Sequence, residues 1–235
     1  MKNLMTNQPT STQHPMSHTE IDAALSKDDA LEVETHPFAP VLPANASVMM
    51  MGTFPPTADK WAMRFHYPNF YNDMWRIYGG VFFDDIDYFR VEGEKRFDPE
   101  RIRDFLFDRG IASCPTVKQA IRETGNASDK HLTVVTPVDL DNILPQVPKV
   151  KTLFTTGGKA TEVLLSLLAE PPAKSKHPKT NQSMQYPYQW QHHDKDTAVK
   201  ELTLYRLPST SRAYPLALDK KIAAYKAFFE KIGKL

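Results

Sequence analysis

The sequence predicts an α/β domain with a mainly parallel sheet covered by helices on both faces. Segments of strand length alternate with segments of helix length along most of the chain, an order typical of parallel sheets. Two strand-like runs, Val48–Gly52 and Glu201–Leu207, each lead into a tight loop rich in Gly, Pro or Ser. Ligands of open α/β sheets bind outside the carboxyl ends of the strands, so we expect the two loops to line one crevice.

The composition agrees with a folded domain of this size. The chain has 235 residues, of which 41% are hydrophobic and 24% are charged, enough for one large core. The net charge of +1 argues against a protein that coats nucleic acid, but is compatible with an enzyme that touches a few phosphates. The single cysteine, Cys114, is interpreted as a small buried hydrophobe and fits a cytoplasmic location. No run approaches the roughly 18 apolar residues of a membrane span, and the first residues lack the apolar region of a secretory signal.

The first half of the chain begins with a polar segment. Residues 1–35 are rich in Thr, Ser, Gln and Asp, a composition that predicts a flexible tail, and a single domain is expected over 36–235. The elements predicted next are strand Val48–Gly52, helix Asn72–Tyr78, helix Pro99–Asp108 and strand Ile111–Ser113. Gly79–Gly80 is expected to end the first helix, and Pro99 and Gly110 bound the second.

The second half continues the alternation. The predicted elements are helix Val117–Thr124, strand Leu132–Thr136, helix Leu140–Leu144, strand Val150–Thr155, helix Lys159–Leu168, strand Glu201–Leu207 and helix Lys220–Ile232. Residues 171–197 contain four prolines and many polar residues, which predicts an insertion with a strand at Tyr186–Trp190.

Three segments of the sequence allow either a functional or a purely structural interpretation. Gly157–Thr161 follows a strand and opens a helix, but Leu153 stands where a phosphate loop needs its first glycine, so we expect only a helix N-terminus facing the crevice. The stretch Arg64–Trp75 is dense in aromatic and amide side chains, which suits either core packing or a pocket that stacks on a nucleic-acid base. His192–His193 lacks a third ligand at a sensible spacing, so no metal site is predicted.

Several of these segments together resemble the uracil-DNA glycosylase superfamily. The similar segments are Gly52–Pro56, Asn72-x-x-Trp75 and Leu207–Ser211, with further likeness at Gly110–Ile111, Ile121–Arg122, Asp129 and Phe154-x-x-Gly157–Ala160. The similarity extends over residues 36–235, and the mismatch-specific and hypoxanthine-DNA glycosylase-like branches are the most similar.

The resemblance implies a three-layer α/β/α fold with a short, mainly parallel central sheet. It also implies a monofunctional DNA glycosylase that hydrolyses the N-glycosidic bond of a flipped-out uracil or hypoxanthine in base excision repair. It implies no cofactor and no metal, DNA as the partner, and a monomer. Residue by residue, it implies catalysis by Asn72, a base pocket of Gly52, Thr53, Phe54, Pro55, Phe65, Tyr67 and Thr156, and DNA contacts from Lys159, Pro208, Ser209, Ser211 and Arg212.

The chain departs from the superfamily pattern in its loops. Phe54 stands where relatives often carry a catalytic Asp or Asn, Leu207 where they carry His or Asn, and Thr156 where Asn is frequent. Cys114–Pro115 replaces a Trp-Asp pair. Two other functions therefore stay open: a weakly active or inactive nucleic-acid-binding member of the same fold, and a small-molecule α/β enzyme unrelated to DNA.

Overall fold

The computed structural model describes residues 32–123, 131–191 and 199–235. Residues 1–31, which make up most of the predicted tail, lie outside the described residues, as do Asp129 and His192–His193. The strands are β1 Val33–Thr35, β2 Val48–Met51, β3 Ile111–Ser113, β4 Val117–Arg122, β5 Leu132–Pro137, β6 Thr152–Thr155, β7 Gln182–Gln189 and β8 Val199–Arg206. The α-helices are α1 Met74–Phe82, α2 Pro99–Arg109, α3 Leu140–Ile143, α4 Gly158–Leu165 and α5 Leu218–Lys231. Over the described ranges, no helix is long and apolar enough to cross a membrane.

The central sheet has five strands in the order β3-β2-β6-β8-β7. The first four are parallel, and β7 joins the edge antiparallel to β8. Met51 pairs with Thr155, and Thr155 pairs with Arg206. These strands therefore end together, which brings the loops after β2, β6 and β8 to one edge of the sheet.

Helices cover both faces of this sheet, so the predicted α/β/α layering is confirmed. Alternate residues of β2 point to opposite faces, as strand geometry requires. Val48 and Met50 pack into a core shared with α1, α2 and α5. Met49 and Met51 pack into a second core with α3 and α4. All four side chains are buried, which explains a continuous apolar run rather than an alternating one.

A second, antiparallel sheet in the order β1-β4-β5 lies beside the loop after β2. Its strand β1 falls inside the segment that composition assigned to the tail. Arg122 of β4 forms an ion pair with Glu34 of β1 at 2.9 Å and donates from Nη2 to the carbonyl oxygen of Pro55 at 3.0 Å. The small sheet therefore buttresses the first loop.

Two predictions about elements were wrong. Val117–Arg122 is a strand and not a helix, because it pairs with β1 on one side and β5 on the other. Gly79–Gly80 does not end α1, which continues to Phe82. The other predicted elements are present, with ends shifted by a few residues, and the predicted strand at Tyr186–Trp190 overlaps the end of β7.

Candidate functional site

A cavity of about 530 Å³ opens at the carboxyl edge of the central sheet. Its walls come from the loops after β2, β6 and β8, from the aromatic segment before α1, and from the ends of β1 and β3. The predicted site residues that line it are Gly52, Thr53, Phe54, Pro55, Tyr67, Asn72, Thr156, Ser209, Ser211 and Arg212. The structure therefore brings the first and last loops to one crevice.

Three predicted site residues do not line the cavity. Phe65 is 3% exposed and belongs to the core beside Trp75. Pro208 is buried, and its carbonyl oxygen accepts a hydrogen bond from Tyr225 Oη. Lys159 lies in the first turn of α4 and is half-buried.

The first loop is fixed through its carbonyl oxygens. The N–H of Thr116 donates to Gly52 at 2.8 Å, Arg122 donates to Pro55, and Trp61 Nε1 donates to Pro56 at 2.7 Å. These acceptor atoms are engaged within the protein, so the loop does not turn them toward a ligand.

Tyr67 and Gly52 are in close contact across the cavity wall. Tyr67 has a φ of +53°, and its hydroxyl lies 3.2 Å from Thr156 Oγ1. A Cβ added to Gly52 would lie 2.7 Å from the Tyr67 hydroxyl oxygen, closer than real Cβ contacts. Only glycine therefore fits at position 52 while Tyr67 keeps this position.

Asn72 lines the cavity and also caps α1. Its Oδ1 accepts the backbone N–H of Met74 at 2.9 Å, a side-chain acceptor for one of the first N–H groups of the helix. Asn72 thus has two positions to satisfy, since its amide oxygen accepts a hydrogen bond from the start of α1 while the residue also forms part of the cavity wall.

A serine and a histidine that the sequence reasoning did not select form a buried polar pair in the cavity. Ser113 Oγ lies 2.8 Å from His66 Nδ1, and His66 Nε2 lies 2.9 Å from the carbonyl oxygen of Ala39. Burial is the main cause that lowers the pKa of His66 to about 4, so the imidazole is neutral at pH 7. The one feature of the sequence that could have indicated His66 as a site residue is its position in the aromatic stretch Arg64–Trp75.

A second histidine of the cavity is also neutral. Burial, with a smaller contribution from His66, lowers the pKa of His36 to about 4. Its ring contacts Phe54 edge-on at 5.3 Å between ring centroids. His36 follows β1 directly, so it reaches the cavity because the small sheet places it there.

A buried ion pair fixes the last loop. Lys221 Nζ, on α5, donates to Asp73 Oδ2 at 2.8 Å and to the carbonyl oxygen of Ser211 at 2.8 Å. Arg212 Nε donates to Asp73 Oδ1 at 3.2 Å, while the Arg212 side chain keeps 47% of its surface exposed. The N-terminus of α1, the last loop and α5 are thereby joined at the rim of the cavity.

The loop after β6 contacts the loop after β8 at Gly157. Gly157 has a φ of +133°, a backbone conformation that residues other than glycine rarely adopt. A Cβ there would lie 3.5 Å from Ser209 Cβ. That distance is an ordinary van der Waals contact, so the backbone conformation, and not a lack of space, favours glycine at position 157.

The described lining of the cavity contains no Asp, Glu or Lys. Within the described ranges, no group of three His, Cys, Asp or Glu is placed to hold a metal ion. Cys114 is buried, and burial raises its pKa to about 12, so it is not a thiolate nucleophile. Aromatic rings, hydroxyls and amides make a chamber suited to a flat, uncharged heterocycle.

The comparisons with known proteins agree with the fold. No family model matches the chain, and no curated protein matches it. A solution NMR structure from Methanosarcina acetivorans, described as a "putative uracil DNA glycosylase", is similar with a TM-score of 0.55 and 18% identity. The alignment covers 86% of this chain and 99% of that chain. The chain therefore has a uracil-DNA glycosylase-like fold, with the α/β/α layers and the short, mainly parallel sheet that the sequence predicted.

Proposed function

We propose that this protein is a DNA glycosylase that hydrolyses the N-glycosidic bond of a flipped-out deaminated or mismatched base, uracil or hypoxanthine. The observation that carries the proposal is the aromatic-lined cavity between the Gly52–Pro56 and Leu207–Ser211 loops, with Asn72 in its wall and no carboxylate in its described lining. The similar fold of the protein described as a "putative uracil DNA glycosylase" supports it. Enzymes that act on a base take it out of the stack into such a pocket.

The chemistry requires charge stabilisation more than strong acid–base catalysis. As the glycosidic bond breaks, its electron pair leaves with the base, the sugar becomes cation-like, and a water adds to C1′. The Asn72 amide would hold that water, although it cannot act as a strong general base. Ser209 Oγ accepts the N–H of Ser211 at 3.3 Å, and its O–H can donate a hydrogen bond to the departing anionic base. The proton released by the attacking water balances the charge of that base.

The DNA would lie across the rim of this cavity. Arg212, Ser209 and Ser211 line the cavity and would contact phosphates, with Lys159 on α4 as a further phosphate contact. The described lining contains no lysine amine, which supports simple hydrolysis over Schiff-base chemistry. A monomeric state, a cytoplasmic location and the repair role stay predictions.

A non-catalytic DNA-binding protein is the second candidate. It is favoured by Phe54 at the position where relatives often have Asp or Asn, and by the lack of a carboxylate in the described lining. The two candidates differ in base release from oligonucleotides that carry uracil, hypoxanthine, xanthine or a G·T mismatch, with alkali revealing abasic sites.

The variant Asn72→Ser separates catalysis from capping. Serine keeps an oxygen that can cap α1 but lacks the reach and the amide to hold the attacking water. We expect base release to fall by roughly 100-fold or more, with an unchanged melting temperature and DNA affinity. Asn142→Ser, on α3 and outside the cavity, serves as the matched control. Full activity of Asn72→Ser would remove Asn72 from the catalytic assignment, and wild-type DNA binding without any base release would favour the second candidate.

A further inference from the structure

Ser113 and His66 are buried polar side chains of the cavity that share a hydrogen bond. Ser113 is 1% exposed and His66 is 6% exposed, whereas Asn72 is half-buried. Ser113 ends β3, and both of its backbone polar groups pair with Val41. Of the polar groups of Ser113, the hydroxyl is therefore the one that can interact with a ligand in the cavity.

The hydrogen bonds of His66 fix its tautomer. A carbonyl oxygen can only accept, so the 2.9 Å contact with Ala39 places the proton of the imidazole on Nε2. In the neutral ring Nδ1 is then a bare acceptor. The 2.8 Å contact with Ser113 must therefore be a hydrogen bond that the Ser113 hydroxyl donates.

A hydroxyl has a single proton to donate. Since His66 takes that proton, the oxygen of Ser113 offers only lone pairs to anything else. A buried group of this kind stabilises a ligand that presents an N–H, and it repels one that presents a lone pair at the same point.

We propose that Ser113, held as an obligate acceptor by His66, selects bases whose ring nitrogen carries a hydrogen. A flipped base has its glycosidic nitrogen toward the sugar and Asn72, so its far edge reaches deepest into the cavity. In uracil and hypoxanthine the ring nitrogen of that edge carries N–H, whereas in cytosine and adenine it carries a lone pair. Deamination of the base thus converts a repelled edge into a bound one.

This inference rests on the proposed function for its ligand, but the two can fail separately. Binding is measured with single-stranded oligonucleotides that contain 2′-fluoro-arabino-uridine or 2′-fluoro-arabino-cytidine, because the fluorine suppresses cleavage and single strands remove differences in base pairing. Wild-type protein is expected to prefer the uracil analogue by roughly 10- to 100-fold, the range of one buried hydrogen bond made or lost.

The variant Ser113→Ala should reduce that preference to within a few-fold, while Ser166→Ala, whose hydroxyl bonds Val163 outside the cavity, should retain it. A Ser113→Ala protein with the full preference overturns the inference even where uracil is released normally. Preference for the uracil analogue without base release from any cleavable substrate supports the inference and contradicts the proposed activity.

A measurement on the wild-type protein keeps the inference falsifiable should Ser113→Ala fail to fold. Long-range 1H–15N NMR of the histidine ring distinguishes the tautomers directly. We expect His66 to be protonated at Nε2 and bare at Nδ1 at pH 7. A proton on Nδ1, or equal wild-type affinity for the two analogues, would overturn the role assigned to Ser113.

Discussion

At the scale of single residues, Tyr67 shows how the cavity stores strain. A positive φ at a non-glycine residue costs of order 1–3 kcal/mol and is concentrated at functional sites. Here the conformation is held by the hydroxyl contact with Thr156 and by the edge-on contact with Trp75 at 6.1 Å. The ring of Tyr67 consequently forms a fixed wall against Gly52.

Replacing Gly52 with Ala should displace that wall. The added Cβ would clash with the Tyr67 hydroxyl, so the ring must move into the space of the bound base. We expect base release to fall roughly 10- to 100-fold, as for other misplacements near a reacting centre, in the oligonucleotide cleavage assay. The double variant Gly52→Ala/Tyr67→Phe removes the clashing oxygen and should recover part of the loss. No recovery would mean that the alanine acts through the backbone of the loop.

At the scale of elements, the start of α1 is joined to α5 through buried charge. The Asp73 carboxylate accepts hydrogen bonds from Lys221 and Arg212. Its backbone N–H donates to the carbonyl oxygen of Thr210 at 2.9 Å. Removing one member of a buried ion pair is strongly destabilising, because the other charge stays buried without compensation.

Asp73→Asn should therefore lower the free energy of unfolding by about 3–5 kcal/mol, as measured by urea denaturation. The control is Asp219→Asn, because Asp219 forms an exposed ion pair with Lys220 at 4.0 Å. Exposed pairs contribute about 0–1 kcal/mol, so little change is expected there. The double variant Asp73→Asn/Lys221→Met should regain much of the stability, and equal effects of the two single variants would contradict a stabilising role for the buried pair.

Strand β4 shows why one element could not be predicted from sequence. Its buried residues Val117 and Ala120 are three apart, a spacing typical of a helix face. Register shifts between Val117, Gln119 and Ala120 break the two-residue period of the strand. Because the pairing with β5 is irregular, the buried residues of β4 have the spacing that a helix would show in the sequence.

The glycines of α1 illustrate a second limit. The pair Gly79–Gly80 predicts a helix end from sequence, but the helix needs both glycines for packing. A Cβ at Gly79 would clash with the carbonyl oxygen of Asp85, and one at Gly80 would lie 2.7 Å from Ile222 Cδ1. Close approach and chain termination both select glycine, and local sequence does not separate the two causes.

At the scale of the whole molecule, the first and last loops could be predicted because strand–loop patterns are local. His36 and Ser113 could not, because they reach the cavity through sheet pairing over long sequence distances. His66 belongs to a stretch whose composition allowed both core and pocket. The structure divides that stretch, with Phe65 in the core and Tyr67 at the cavity.

The buried histidines predict how stability depends on pH. Burial lowers the pKa of His66 and His36 from 6.5 to about 4, so the unfolded chain binds more protons than the folded one between these values. Stability should be complete above pH 6.5 and fall as the pH drops, by up to about 1.4 kcal/mol per pH unit for each histidine.

Thermal unfolding at pH 7.0, 6.0 and 5.0 tests this dependence. His66→Gln should be less stable at pH 7.0 than the wild type, because its hydrogen bonds are lost, yet its stability should decline less steeply toward pH 5.0. A decline as steep as that of the wild type would show that His66 does not titrate with a lowered pKa.

The cavity is assembled from segments that lie between His36 and Ala213 in the chain. The cavity therefore cannot form in a partly synthesised or partly folded polypeptide, because the loop after β8 completes its wall. Contacts of such long sequence separation slow the search for the native state. Any ligand that occupies the chamber binds only the completed fold, and it therefore stabilises the whole domain against unfolding by mass action.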